Sequence, residues 1–177
     1  MVTVRQRVER ALAGDDDAMD EVVADWLPTV YSWCARLGRP HVDPEEAAHD
    51  VLLTLIRRRA TVGSPAQLAP WLFGVTRRIV ANHRRRAWWR RWWPGTAEEP
   101  VTTDTPEAHL ERARLAERID RALESLPTAH REVLVLCYLE ERPLAEAAAL
   151  LGVPEGTVKS RLFHARGKFQ VAFGAEP

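Results

Sequence analysis

A glycine and a proline two residues apart, set between two helical patterns, constrain this chain more than any other feature. In Leu150–Arg166, LLGVPEGTVKSRLFHAR, Leu150 and Leu151 close one helix, Gly152 supplies a sharp turn and Pro154 opens the next. Gly takes the left-handed conformation of a helix end without steric cost. Pro is tolerated in a first helical turn, where its missing N–H would have no partner anyway. From there Val158, Leu162, Ala165 and Phe169 recur at helical spacing as one apolar stripe. Thr157, Lys159, Ser160, Arg161 and His164 lie off that stripe. A helix packed by one face, with small polar and basic residues elsewhere, fits a DNA major groove. Amphipathic helices after Gly-Pro turns also occur in helical proteins that never touch DNA, so the pattern alone leaves both readings open.

Charge narrows the choice. Formal net charge is zero, with 25 Lys and Arg against 25 Asp and Glu. The two signs are not mixed evenly. From Val51 to Ala97 there are ten Arg and no Asp or Glu, so the rest holds 15 basic and 25 acidic residues, and +10 stands against −10. A basic block of this kind is a usual footprint of nucleic-acid binding.

Other classes find little support. There is no P-loop, HExxH, GxSxG or paired carboxylate with a plausible site, so an enzyme is not expected, nor a cofactor or a small-molecule substrate. The six His are scattered, and His41 and His49 have no metal-binding partners in sequence, so no metal site is expected. Cys34 and Cys137 sit among apolar neighbours without a CxxC and read as buried small hydrophobes. No run of about 18 apolar residues predicts a transmembrane helix. The first residues are charged throughout and lack the apolar core of a signal peptide, so a cytoplasmic location is expected.

Periodicity predicts an all-α chain of two small helical domains joined by a flexible linker, the second domain a helix-turn-helix. The first domain is placed at 1–93. It holds a short helix over Arg5–Ala13 ended by Gly14, then a helix over Ala18–Leu37 with Val22, Val23, Trp26, Val30, Trp33 and Leu37 inward. One of Asp15, Asp16 and Asp17 can cap that helix, and Pro28 is expected to kink or divide it. Asp43-Pro44-Glu45 starts a third helix over Pro44–Arg58, with Ala47, Ala48, Val51, Leu52, Leu55 and Ile56 on its core side. In the last helix Trp71, Leu72, Val75, Ile79 and Val80 are expected to form the core face. Arg77, Arg78, Asn82, Arg85 and Arg86 lie on or near the other face. Arg pairs bidentately with phosphates, and interleaved aromatics stack on exposed bases.

Residues 94–106, rich in Pro, Gly, Thr and acids, read as the linker. The second domain is placed at 107–177. Leu110, Leu115, Ile119, Leu123 and Leu126 are core positions of its first helix. Val133, Leu134, Leu136, Cys137 and Leu139 are those of the next.

LGVPEGTVKSRLFHAR closely resembles the last characteristic stretch of sigma-70-family transcription initiation factors, in the extracytoplasmic-function (ECF) subgroup. Ala122–Leu139, ALESLPTAHREVLVLCYL, looks like that family's entry to the same domain. The resemblance covers roughly Ala18–Arg86 and Ala122–Phe169. It implies a factor that binds core RNA polymerase, directs it to specific promoters and helps open DNA. An anti-sigma protein is an implied further partner. On the third helix the family typically reads ED, two residues, then QE or QD; here stand Glu45-Glu46, Ala47-Ala48 and His49-Asp50. The resemblance implies that Glu46, Asp50, Leu53 and Arg57 bind polymerase.

Arg77, Arg78, Asn82, Arg85 and Arg86 are implied to meet the opened minus-ten element. There the family usually has Asn where Arg78 stands and Asp where Asn82 stands, so base preference is expected to differ. Glu155, Thr157, Lys159, Ser160, Arg161, His164 and Arg166 are implied to meet the minus-thirty-five element, with Arg166 nearer the backbone. Family members place Ser or Thr where Pro143 stands and Ile or a similar residue where Ala147 stands, which predicts a softer second domain. Trp88, Trp89, Trp92 and Trp93 have no counterpart in that pattern. Packing on the first domain, contact with a partner, single-stranded DNA and a membrane surface all stay open for them.

The competing reading is a conventional helix-turn-helix regulator that binds duplex operator as a dimer. The first domain separates the two readings. A receiver domain would need alternating strands and helices, whereas residues 1–93 show only helical patterns ending in a basic aromatic helix.

Overall fold

In the computed structural model residues 3–92 and 106–174 are described, with side chains for 3–87 and 114–174. Every element among them is helical, as the periodicity requires. None of these helices is long and apolar enough to cross a membrane. The chain divides into two compact units, the first Met1–Ala87 with Ala149–Gly152 and the second Trp88–Ala148 with Val153–Pro177. The linker expected at 94–106 lies outside the described residues except for Pro106.

The first unit starts with α1, Val4–Ala13, and α2, Asp16–Gly38. Thr3 opens α1 with a capping box: its hydroxyl accepts from the Gln6 N–H at 3.3 Å, and the Gln6 side chain accepts from the Thr3 N–H at 3.0 Å. Gly14 ends the helix at φ +112°, a conformation that other residues rarely adopt. Asp15 caps α2, accepting from the Ala18 N–H at 3.0 Å. That bond first, and the Arg10 guanidinium second, hold the Asp15 carboxyl below its ordinary value. Pro28 does not divide α2, which runs unbroken through it. Both Pro28 and Ala24, whose carbonyl loses its partner, are exposed, so the freed carbonyl stays within reach of solvent.

Asp43 caps α3, Pro44–Arg58, accepting from the N–H groups of Glu45 at 2.8 Å and Glu46 at 3.3 Å. A short turn of 3-10 helix, Arg59–Thr61, and a second, Pro65–Gln67, lead into α4, Leu68–Trp92. The core gathers on Trp33, which meets Phe73 edge-on at 5.0 Å between ring centroids. Val30, Val51, Leu55, Leu68 and Leu72 are buried in the same unit.

Several expectations for this core fail: Val23 and Trp26 of α2, expected inward, are only half-buried. Ile56, expected inside, is exposed. The buried stripe of α4 is Leu68, Leu72, Phe73, Thr76, Val80 and His83, while Trp71, Val75 and Ile79 are only half-buried. Two polar residues on the inward face disguise it. Thr76 is satisfied locally, its hydroxyl donating to the Leu72 carbonyl at 2.9 Å.

The remaining helices are α5, Pro106–Glu124; α6, Thr128–Leu134; α7, Leu144–Leu151; and α8, Glu155–Gly174, all of the second unit but for the end of α7. Arg131 ties α6 to the end of α5. Its guanidinium donates to the carbonyls of Leu123 at 2.9 Å, Glu124 at 3.0 Å and Leu126 at 3.4 Å. A cation at those carbonyls also complements the helix dipole. After Leu134 the helix widens into a π-helical turn, Val135–Leu139. The wider turn rotates the side chains within and after it away from the preceding helical period. Tyr138 and Leu139 are exposed and Cys137 half-buried, so Leu139 and Cys137 are not the core residues they were expected to be. Leu115 is likewise exposed.

Gly152 turns α7 into α8 at φ +65°, and the Val153 N–H closes the turn on the Ala148 carbonyl at 3.1 Å. Pro143 stands before α7, and its carbonyl accepts from the Ala147 N–H at 3.0 Å. Val158 and Ala165 of α8 are fully buried, with Leu162 and Phe169 half-buried beside them, which is the stripe the sequence predicts.

Candidate polymerase and nucleic-acid interfaces

Glu46, Asp50, Leu53 and Arg57 follow one another at intervals of four, three and four residues, so they fall on one line along α3. Glu46 and Arg57 are exposed; Asp50 and Leu53 are half-buried. Asp50 is anchored from α4. His83 Nε2 lies 2.9 Å from Asp50 Oδ2. A carboxylate only accepts, so Nε2 carries the proton in this bond. His83 Nδ1 faces the Glu46 carboxylate at 3.7 Å. His83 is buried, and sequence reasoning missed it. Its spacing of seven from Thr76 and eleven from Leu72 was the available signal.

Beside this line an apolar groove of about 790 Å³ separates α2 from α3. Leu27, Tyr31 and Ile56 are exposed along it, and Leu52 and Leu53 line it from α3. An acidic line next to exposed apolar side chains is a surface that can hold a partner helix.

Across this line from the first groove a second one, of about 600 Å³, opens between the end of α3 and the start of α4. Arg57, Arg58 and Arg78 line it together with Trp71, Val75 and Ile79, the residues expected in the core. The Trp71 indole N–H donates to Thr61 Oγ at 3.2 Å, and the Thr61 hydroxyl donates to the Arg58 carbonyl at 2.8 Å. These two bonds pin one wall. Arg57, grouped by sequence with the polymerase line, thus also reaches the Arg78 groove. A concave site with three guanidinium groups and an aromatic wall suits a phosphate and an unstacked base.

Arg78, Asn82 and Arg85 continue along the same side of α4 at intervals of four and three. Arg85 donates to the Asn82 side-chain oxygen at 2.8 Å, which orients that amide. Arg86 is exposed and lies near this line. Arg77 points to a different flank, by the rotation of about 100° per residue. Trp88, Trp89 and Trp92 fall within α4, but their side chains, and Trp93 altogether, lie outside the described residues.

On α8 the candidate residues divide between two flanks of the buried stripe. Thr157, Ser160, Arg161 and His164 share one flank, and Glu155, Lys159 and Arg166 share the other. Lys159 pairs with Glu155 at 3.1 Å. The Arg166 guanidinium stands 5.9 Å over the Tyr138 ring, at the rim of an apolar groove of about 470 Å³ lined by Ile119, Leu123, Leu134, Leu139, Phe169 and Phe173. Thr157 and Arg161 are half-buried; the others are exposed. Among the described residues no group of three or more His, Cys, Asp or Glu is placed to hold a metal ion.

Comparison with known proteins finds two family matches along the chain. The family described as Sigma-70 region 2 matches residues 22–90, and that described as Sigma-70, region 4 matches residues 116–169. The chain is 30% identical over 164 residues to the ECF RNA polymerase sigma factor SigL of Mycobacterium tuberculosis, covering 90% of each chain. It is 24% identical to the ECF RNA polymerase sigma factor SigW of Bacillus subtilis, covering 92% of each. Among solved structures it is similar in fold to CnrH, determined in complex with the cytosolic domain of CnrY. The TM-score is 0.68 at 23% identity over 98% of both chains.

Proposed function

The chain belongs to the ECF sigma factors of the sigma-70 family, and we propose from that premise how its own residues divide the work. As such a factor it binds core RNA polymerase, directs it to promoter DNA and helps open the duplex. The conventional-regulator alternative is not favoured, because the match to region 2 has no place in it. The two-domain division is part of the proposal: 1–93 for polymerase and the minus-ten element, 94–106 as tether, 107–177 for the minus-thirty-five element.

Glu46, Asp50, Leu53 and Arg57 form the polymerase-docking line, extended by the apolar groove beside it. Arg78, with Asn82, Arg85 and Arg86, receives the opened minus-ten strand. The groove of Arg57, Arg58, Arg78 and Trp71 takes its phosphate and an extruded base, and Arg77 serves the flanking backbone. Unstacking a base costs a few kcal/mol, which binding in such a groove must offset. Glu155, Thr157, Lys159, Ser160, Arg161 and His164 approach the minus-thirty-five duplex, with Arg166 at the edge. The factor acts by binding rather than by catalysis, in the cytoplasm with the polymerase. An anti-sigma protein is a further partner in this reading, as it is for the Bartonella quintana RpoE determined with the anti-sigma factor NepR.

The observation that carries this assignment of roles is the placement of an acidic docking line and an arginine groove on neighbouring faces of one helix, α3, with Arg57 shared between them. The test is transcription by core RNA polymerase on fragmented genomic DNA, with and without the protein. New start sites sharing two spaced upstream motifs are expected. Duplex binding without new starts would overturn the docking role.

A further inference from the structure

His130, in the first turn of α6, lies against the recognition helix. Its imidazole faces that of His164 with ring centroids 6.5 Å apart and planes inclined by 27°. Arg161 and Lys168 of α8 are close enough to act on the same imidazole. Arg161, His164 and Lys168 follow one another at intervals of three and four, so they form one line on α8. That line starts beside Thr157, on the flank away from the Glu155–Lys159 pair. Between Gly156 and Gly174 the helix contains no Asp or Glu. Four groups able to carry positive charge therefore lie together, while the acid of α8, Glu155, is paired with Lys159 on the other flank.

The surroundings of His130 are one-sided. Burial first, then Lys168, His164 and Arg161, hold its pKa below the ordinary value. Its Nδ1 is buried without a hydrogen-bond partner, so protonation has no local reward. On α6 itself Arg131 is turned to the carbonyls that end α5, and Glu132 lies on the opposite side of the helix. An arrangement of this kind is costly for the free protein to charge and is relieved by an anion.

We propose that His130, Arg161, His164 and Lys168 form a proton-gated seat for one backbone phosphate of duplex DNA. The proposal rests on the reading of α8 as the duplex-binding helix and adds to it a residue from α6 and a proton. Seating the phosphate favours His130 in its charged form, so binding takes up one proton from solvent. Affinity then rises as pH falls, because the free protein holds His130 neutral where the complex does not. Phosphate contacts carry no sequence information, so the seat acts on any duplex.

The experiment uses the full chain and a short mixed-sequence DNA duplex, with affinity measured against salt at about pH 8 and about pH 6. For the wild type, affinity is expected to rise several-fold more on acidification than for His130→Gln. The slope of log affinity on log salt should steepen by about one at the lower pH. The imidazole resonance of His130 should titrate below the ordinary value in the free protein and move up when the duplex is added. The exposed Lys168→Ala variant should raise the His130 titration in the free protein and weaken binding at both pH values. Normal duplex binding with the same pH response in wild type and His130→Gln would overturn the seat and leave the duplex-binding role of α8 standing. No duplex binding by the wild type at either pH would overturn both.

Discussion

His83 Nε2 and Asp50 Oδ2 stand 2.9 Å apart, joining the helix assigned to the minus-ten strand to the helix assigned to polymerase. The bond has unequal ends. His83 is buried, while nearly half of the Asp50 side chain is open to solvent. Asp50 is therefore held in one orientation from behind and keeps an edge for a partner.

This relationship sets how Asp50 should be tested. Asp50→Ala leaves the buried His83 donor without its partner, at an expected cost of about 1–3 kcal/mol. Asp50→Asn keeps an acceptor for Nε2 and removes only the charge, so its stability should lie within about 1 kcal/mol of wild type. Both variants should bind core polymerase more weakly. Denaturant unfolding beside a polymerase-binding titration separates the two effects. Wild-type affinity in Asp50→Asn would place the docking charge elsewhere.

The caps were legible in the sequence because they are local. Asp15, Asp43, Gly14 and Gly152 each act on residues within a few positions, and all four do what their types predict. The facing of α4 was legible only at Leu72 and Val80, which are buried as expected. Trp71, Val75 and Ile79 make an apolar stripe at spacing four, while the true inward stripe contains Thr76 and His83. Hydrophobicity favours the wrong stripe, and only the partners in three dimensions, Leu72 for Thr76 and Asp50 for His83, reverse the choice. Leu139 fails for another reason: a π-helical turn breaks the period on which its assignment relied. His130 stayed hidden because its neighbours on α8 are more than thirty positions away in sequence.

Cys34 should be inert in the folded protein. Burial pushes its thiol up to about 12 from an ordinary 9.0. At about pH 8 the thiolate is then about one part in ten thousand, too little for ready alkylation. The half-buried Cys137 is also raised by burial, but less enclosed. Iodoacetamide followed by mass spectrometry is expected to label Cys137 first and Cys34 only on unfolding. The sign of the linkage is fixed: the Cys34 contribution to stability is full below about 9 and is lost as pH rises towards about 12.

Arg131 should matter more to the second unit than its half-buried position suggests. It serves the carbonyl oxygens of Leu123 and Glu124, at the end of α5, and of Leu126 in the turn that follows. Hydrogen bonds from a charged donor contribute about 1.5–3 kcal/mol. Arg131→Met keeps much of the apolar stem and removes those donors. It is expected to lower stability by about that amount, read by thermal or urea unfolding. A loss below about 0.5 kcal/mol would mean that water serves the carbonyls equally well.

Arg78 and Arg161 should fail differently, and the difference tests the division of labour between the two units. Arg78 lines the groove between α3 and α4 with Arg57, Arg58 and Trp71, the site proposed for the strand released from its duplex. Arg161 lies on one flank of α8, half-buried beside the His130 and His164 pair, where intact duplex can approach. Arg78→Ala is therefore expected to slow promoter opening by core polymerase and to be rescued on a template already unpaired at the minus-ten position. Arg161→Ala is expected to weaken binding to the upstream duplex and to reduce the salt slope by about one, with no rescue by the unpaired template. Permanganate footprinting reads the opening, and a salt titration of upstream-fragment binding reads the rest. Equal rescue of both variants would show that Arg161 acts on the melted strand, and unchanged upstream affinity would remove it from the duplex-binding face.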